Sequence, residues 1–226
     1  MPDAAKIGSR RVLSHIKERS ITTMEATHQI IASSTAGVSS AVVGQLPPVP
    51  YMKRTIQRFR QGVQVPLAIP NTLHELTLPQ KYTETLTGVP FLLYDSGPGN
   101  DRILLFSTQR NLDLMAQCRH WFADGTFKTA PPLFNQLYTI HAVKYYNVIP
   151  TVFVLMPNRT EDTYKRVFNA MKSLNQSLQP STIMTDFEQS ALKASHTAFP
   201  SAVQRGCFFH LSQCIWRRIQ QAGLQQ

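Results

Sequence analysis

Acidic residues are scarce in this chain. Its 226 residues hold 13 Asp and Glu against 23 Lys and Arg, a formal net charge of +10. Between Glu25 and Glu75 there is no acid at all. A surplus of that size favours polyanionic partners, nucleic acid first and anionic membrane surfaces second. Cysteine is equally sparse: Cys118, Cys207 and Cys214 are an odd set. They are too few for a disulfide framework, and a reducing compartment is expected. No apolar run reaches the roughly 18 residues that a transmembrane helix needs. The first residues, Met1-Pro2-Asp3-Ala4-Ala5-Lys6, lack the apolar stretch of a secretory signal. No membrane partner is therefore expected, and the nucleus, or alternatively the cytoplasm, is the expected location. What is present is an apolar fraction of 42%, which suits a folded core rather than a disordered tail. The length suits one sizeable core with a smaller appended domain.

Residues 1–62 read as a basic, helical region. Val12, Leu13 and Ile16, then Met24, Ile30 and Ile31, recur at loose 3–4 spacing. They predict two short helices between 8 and 45, broken by Ser33-Ser34-Thr35-Ala36-Gly37. Leu46-Pro47-Pro48-Val49-Pro50 is a stiff connector. Tyr51 to Gly62 predicts a helix with Met52, Ile56 and Phe59 on one face and a glycine stop. Lys53, Arg54, Arg58 and Arg60 cover the rest of it, with no acid nearby to offset them. They are candidate phosphate contacts, set against the plain alternative of a solvated helix face. Residues 63–117 form a proline-rich β lead-in. Phe91–Asp95 and Ile103–Phe106 predict short strands around the turn Ser96-Gly97-Pro98-Gly99-Asn100, at an edge of the main domain. A short helix follows over 108–117, with Leu112, Met115 and Ala116 inward.

The main domain spans 118–226. Arg119–Asp124, Gln136–Val143 and Val148–Met156 predict three strands, and their short loops make them antiparallel. Thr160 caps a helix with Glu161 and Asp162 in its first turn and Tyr164, Val167, Phe168, Met171 and Leu174 inward. Ser181–Thr185 is a fourth strand and Asp186 opens a helix through Ala194. Ala202–Cys207 is a fifth strand and Phe208–Gln220 a last helix. Three strands, helix, strand, helix, strand, helix is the order of the ribonuclease-H-like α/β fold. That fold is a mixed five-stranded sheet flanked by helices, in which the first and fourth strands are neighbours.

Asp124 and Asp186 close those two strands. Acids at the ends of adjacent strands can hold divalent ions, Mg²⁺ or Mn²⁺, through hard oxygens. After Asp124 the chain turns through Gly125, which lets a substrate backbone come close. Each acid has a simpler reading. Asp124-Gly125 suits a hairpin turn, and Asp186 suits an N-cap with Gln189 as capping-box partner. Glu188 is expected to point elsewhere on the helix. Cys207-x-x-His210 has the spacing of half a zinc site, with Cys214 one helical turn beyond, although core packing explains such residues as well. Trp121, Phe122, Phe127, Phe208 and Phe209 read as core. Lys128, Arg205, Arg217 and Arg218 are usable phosphate contacts or solvated charges.

Trp121-Phe122-Ala123-Asp124-Gly125-Thr126-Phe127-Lys128, then Pro132 to His141, Pro150 to Met156 and Tyr164 follow one another in a familiar arrangement. Thr185-Asp186-Phe187-Glu188 with Ala191-Leu192, Phe199-Pro200 and Gly206-Cys207-Phe208-Phe209-His210-Leu211 complete it. Together they resemble the MULE (Mutator-like element) transposase domain over about residues 100–222. The resemblance implies a ribonuclease-H-like DDE transposase with its first two catalytic acids at Asp124 and Asp186. Its Cys-x-x-His motif falls on Cys207 and His210. The family's third acid, a Glu, lies further on after a helical insertion, and no residue here can be assigned to it. The implied function is a transposase-derived, DNA-binding and strand-transfer domain, inactive as this fragment. The alternative is a domesticated remnant acting as a nuclear DNA- or protein-binding module. A third reading is an active nuclease that recruits Glu188 or Glu161 as substitute ligand. DNA is the expected partner, self-association into a homo-oligomer is allowed, and no small-molecule cofactor is expected beyond Mg²⁺ or Mn²⁺ and a zinc ion at Cys207 and His210.

Overall fold

Asp3 accepts hydrogen bonds from the amides of Ala5 and Lys6 (3.0 and 3.3 Å) and so caps the first helix, α1 (Ala4–Thr22). The computed structural model describes residues 3–63 and 70–224, divided into two compact units, Met1–Ile69 and Pro70–Gln226. The expected domain spans include residues 1–2, 64–69 and 225–226, which lie outside the described residues. In the first unit α1 is followed by α2 (Thr27–Thr35), α3 (Ser40–Val43) and α4 (Val49–Val63). Val12, Ile16, Ile30, Ile31, Met52 and Ile56 form its core. Three helices precede α4 where two were expected, Ser33–Thr35 form the last turn of α2 with the break only after them, and two boundaries differ. The first helix starts earlier because Asp3 caps it. The last also starts earlier, because Pro50 falls in its first turn, where a missing N–H costs nothing. Tyr51 and Met52 donate to the carbonyl of Pro48 instead, and the helix runs through Gly62 to Val63.

The second unit holds an open mixed sheet. Its strands are β1 (Leu92–Asp95), β2 (Leu104–Phe106), β3 (His120–Thr126), β4 (Gln136–Lys144), β5 (Asn147–Met156), β6 (Thr182–Thr185) and β7 (Val203–Gly206). They lie in the order β1-β2-β5-β4-β3-β6-β7. The pairings β3–β6 and β6–β7 are parallel and the others antiparallel. Among the described residues the sheet thus has seven strands, where five were expected. The additional pair comes from the proline-rich lead-in: β2 sets Leu104, Leu105 and Phe106 opposite Leu155, Val154 and Phe153 of β5. A two-residue turn, Tyr145-Tyr146, joins β4 to β5, and both residues are left-handed (φ 48° and 63°). Matching the strand twist requires that conformation.

Four helices accompany the sheet: α5 (Gln109–Ala116), α6 (Glu161–Leu174), α7 (Gln189–Ala198) and α8 (Phe208–Gln221). Strand alternation sends Trp121, Ala123, Tyr138, Ile140, Ala142, Val152, Val154, Met156 and Ile183 to one face. There they bury against Leu112 and Met115 of α5, Tyr164, Val167, Phe168 and Met171 of α6, and Ala191, Ala194 and Ala198 of α7. Phe199 packs edge-on to both Trp121 and Phe168 at 5.2 and 5.8 Å, each such pair contributing about 0.5–1.5 kcal/mol beyond its area. The alternate residues Phe122, Leu137, Thr139, Phe153, Leu155 and Met184 are only half-buried. Helix α8 contributes no buried residue.

Candidate acidic site at the parallel strand ends

Strands β3 and β6 run in register, His120 beside Thr182, Trp121 beside Ile183 and Phe122 beside Met184. Two residues on from that last pair stand Asp124 and Asp186. By alternation both share the face of Phe122 and Met184. The topology therefore brings the two expected acids to neighbouring positions, at one end of adjacent parallel strands.

Asp124 is not in a turn. It lies inside β3 opposite Thr139, and the strand continues with Gly125 opposite Tyr138 and Thr126 opposite Leu137. The expectation that the chain turns at Gly125 is corrected: cross-strand pairing outweighs the Asp-Gly turn preference. The glycine serves another purpose, since a Cβ there would lie 2.7 Å from Gln136 Oε1. Asp186 likewise does not open a helix. Its Oδ1 accepts the Glu188 amide at 3.2 Å, a local side-chain turn that fixes the carboxylate just past β6. Helix α7 begins three residues after it, with Glu188 in the N-cap position.

Glu188 is expected from the sequence to point elsewhere on the helix. It is mostly covered (19% exposed) and stands 3.9 Å from Arg159 Nη1. Burial raises its pKa and the Asp186 charge adds to this, while Arg159 and a hydrogen bond with Tyr164 oppose the shift. Beneath it is a polar cluster that no motif signalled. Gln136 Nε2 donates to Tyr164 Oη at 2.6 Å. The Tyr138 hydroxyl and Gln136 Oε1 are buried without a hydrogen-bond partner among the described residues. Burial, then the charges of Tyr164, Asp186, Glu188 and Asp124, push the Tyr138 pKa far up. Its only sequence signal is the period-2 pattern of β4, which marks Gln136 and Tyr138 as inward without saying what they meet.

The start of α8 also joins the site. The Cys207 amide donates to the Thr185 carbonyl at 2.8 Å, and His210 Nε2 comes within 3.7 Å of Asp124 Oδ1. Cys207 is half-buried and Cys214 exposed. Among the described residues no three His, Cys, Asp or Glu side chains gather so as to hold a metal ion. The half zinc site thus gains no third ligand there, nor does the acid pair.

The expected phosphate contacts divide. Lys128, Arg205, Arg217 and Arg218 are exposed in the second unit, as are Lys53, Arg54 and Arg58 in the first. Arg60 is engaged otherwise: its guanidinium donates to the carbonyls of Ser20, Thr23 and Glu25 at 3.1, 3.1 and 2.6 Å. Arg159, which sequence reasoning overlooked, stacks on the Phe127 ring at 4.9 Å. Of the aromatic residues read as core, Trp121 is buried and Phe122 half-buried, but Phe127, Phe208 and Phe209 are exposed. They follow strand ends or open a helix, where the sheet does not cover them.

The second unit is thus an open mixed α/β sheet with Asp124 and Asp186 near the ends of adjacent parallel strands. Residues 120–214, from the start of β3 into α8, match the MULE transposase domain. The chain carries that domain and is transposase-derived. The matched span includes Asp124, Asp186, Cys207 and His210. No curated protein matches the chain.

Proposed function

We propose that this is a nuclear, DNA-binding, transposase-derived protein whose Asp124 and Asp186 form a divalent-metal site on a ribonuclease-H-like core. The observation that supports the reading is the parallel register of β3 and β6, which pairs Phe122 with Met184 two residues before Asp124 and Asp186, within the matched MULE span. Strands β3 to β7 lie in the order third, second, first, fourth, fifth, which supports the ribonuclease-H-like core, with β1 and β2 as an extension beyond β5.

The donor chemistry fits Mg²⁺ or Mn²⁺: two carboxylates with hard oxygens, one anchored by the Glu188 amide. When bound, such an ion activates a water or 3′-hydroxyl and offsets charge on the scissile phosphate. Asp124 and Asp186 would hold it, and the exposed Lys128, four residues after Asp124, is available to meet the phosphate. His210 Nε2 lies 3.7 Å from Asp124 Oδ1, while its Nδ1 has no hydrogen-bond partner among the described residues. Hard carboxylate oxygens assign the Mg²⁺ or Mn²⁺ ion to the acid pair. With two acids gathered and no third among the described residues, the chain alone binds metal weakly and does not cleave or join DNA at a measurable rate. Losing one of a set of ligands that act together costs several orders of magnitude.

Calorimetric titration with Mn²⁺ tests the site. Weak binding that disappears in both Asp124→Asn and Asp186→Asn is expected, and equal binding by wild type and both variants would remove the acid pair from the reading. That result would favour a domesticated binding module with relic acids. A nicking assay on supercoiled DNA with Mn²⁺ completes the test. Cleavage that depends on Asp124 would show a third acid, from Glu188 or a partner chain.

A further inference from the structure

We propose that Phe127 and Phe187, with Arg159, form a stacking surface for an unpaired DNA base beside the acid pair; this rests on the DNA-binding reading above. Large aromatic side chains in water are a cost that folded proteins mostly avoid, and a cluster of them marks a binding surface. Here two of them flank the acids in the chain and a third opens α8, whose His210 reaches Asp124. Phe127 comes three residues after Asp124 and is 49% exposed. Phe187 follows Asp186 directly and is 45% exposed. Phe208, at the start of α8, is 79% exposed.

Arg159 links the segment of Phe127 to the segment of Phe187. Arg159 lies 4.9 Å from the Phe127 centroid and 3.9 Å from the carboxylate of Glu188, the neighbour of Phe187. The Phe187 ring lies against the end of β7, so closely that a Cβ at Gly206 would be 2.5 Å from it. Gly206 therefore makes room for that ring, and a bare backbone supports it from one side. Phe127 is supported by Arg159 in the same way.

The occupant follows from the charges. Lys128 adjoins Phe127 in sequence and Arg159 stacks on it, so a ligand here meets flat apolar rings and cations together. A nucleotide offers the complement, a base to stack and a phosphate to pair. Base pairs inside a duplex have both faces taken by their neighbours, whereas an unpaired base has a face free for a ring. Such stacking is indifferent to sequence, because every base has a π-face. The surface thus suits a frayed or single-stranded end held next to the acids.

The test compares single-stranded DNA carrying one 2-aminopurine with the duplex of the same sequence, in fluorescence titrations on the full chain. The wild type should quench 2-aminopurine in the single strand. Phe127→Leu and Phe187→Leu should each weaken single-strand binding by about tenfold and leave duplex affinity within about twofold. Tyr146→Leu, in the exposed turn between β4 and β5, should change neither. Phe187→Leu could disturb the packing at Gly206, so its melting curve is recorded too; Phe127→Leu removes a half-solvated ring and decides the matter alone if Phe187→Leu unfolds. Single-strand affinity unchanged in Phe127→Leu, or no quenching by a wild type that binds duplex, would overturn the stacking surface alone. A wild type that binds neither form would overturn the DNA reading, and this inference with it.

Discussion

Gly125 matters for the methyl group it lacks. Gln136 is fully buried and its amide nitrogen already donates to Tyr164, so Oε1 cannot swing away from an added Cβ without breaking that bond. Gly125→Ala should destabilise the fold by about 1–3 kcal/mol, the usual cost of an overpacked site. A urea midpoint equal to that of wild type would show that Gln136 relocates freely. A second residue-scale effect depends on pH. Arg102, nearly buried, donates Nε and Nη2 to Asp95 at 2.8 and 2.6 Å. That hydrogen bonding holds the Asp95 carboxyl below its usual range. The folded state therefore binds this proton less tightly than the unfolded chain does. The resulting stability is complete above about pH 4 and is lost as the pH falls through the lower folded value. Asp95→Asn should melt earlier at neutral pH and lose less on acidification; melting curves shifted equally at every pH would contradict this. For Asp124 and Asp186 the local surroundings were not legible in the sequence. Whether Asp-Gly turns or continues a strand depends on a partner strand, and Asp186 could cap a helix or close a local turn with the same oxygen.

Elements were more legible where a pattern was long. The cap at Thr160, the acidic first turn and the inward spacing of α6 gave its limits within a residue. The start of α7 was misread because two side-chain turns compete at the end of β6. Helix α4 shows the division most plainly. Its apolar face was readable from Met52 and Ile56, and the four cations looked equivalent because all lie off that face. Arg60 nevertheless reaches three carbonyls about forty positions earlier in the chain, a tertiary contact that no local spacing announces. The two groups should separate by experiment. Replacing Lys53, Arg54 and Arg58 by Ala should flatten the salt dependence of duplex binding by up to about 0.9 log unit per lost phosphate contact, with little change in stability. Arg60→Ala should leave the salt slope alone and lower the melting temperature, because three carbonyls lose their donor. The reverse pattern would return Arg60 to the DNA-binding set.

For the whole molecule, topology was the informative level. The order of strands and helices was enough to make β3 and β6, the strands that lead to Asp124 and Asp186, neighbours. Strands β1 and β2 were foreseen as short strands at an edge, yet four and three residues carry too little pattern to show that they extend the same sheet beyond β5. The polar cluster of Gln136, Tyr138, Tyr164 and Glu188 draws on three separate elements, so only the assembled sheet reveals it.

Helix α8 gives the site a time dependence. A helix of 14 residues with no buried side chain gains little from tertiary packing, and in water such a segment sits near its helix–coil midpoint. Its amides, from Leu211 onward, should exchange with solvent deuterium far faster than those of β4 and β5, and equal protection would contradict this. His210 reaches Asp124 only while the first turn of that helix is wound. Helix–coil relaxation of an isolated peptide takes about a microsecond, so an intermittent approach of His210 to Asp124 is the expected behaviour, and a ligand bound across α8 and β3 would prolong it.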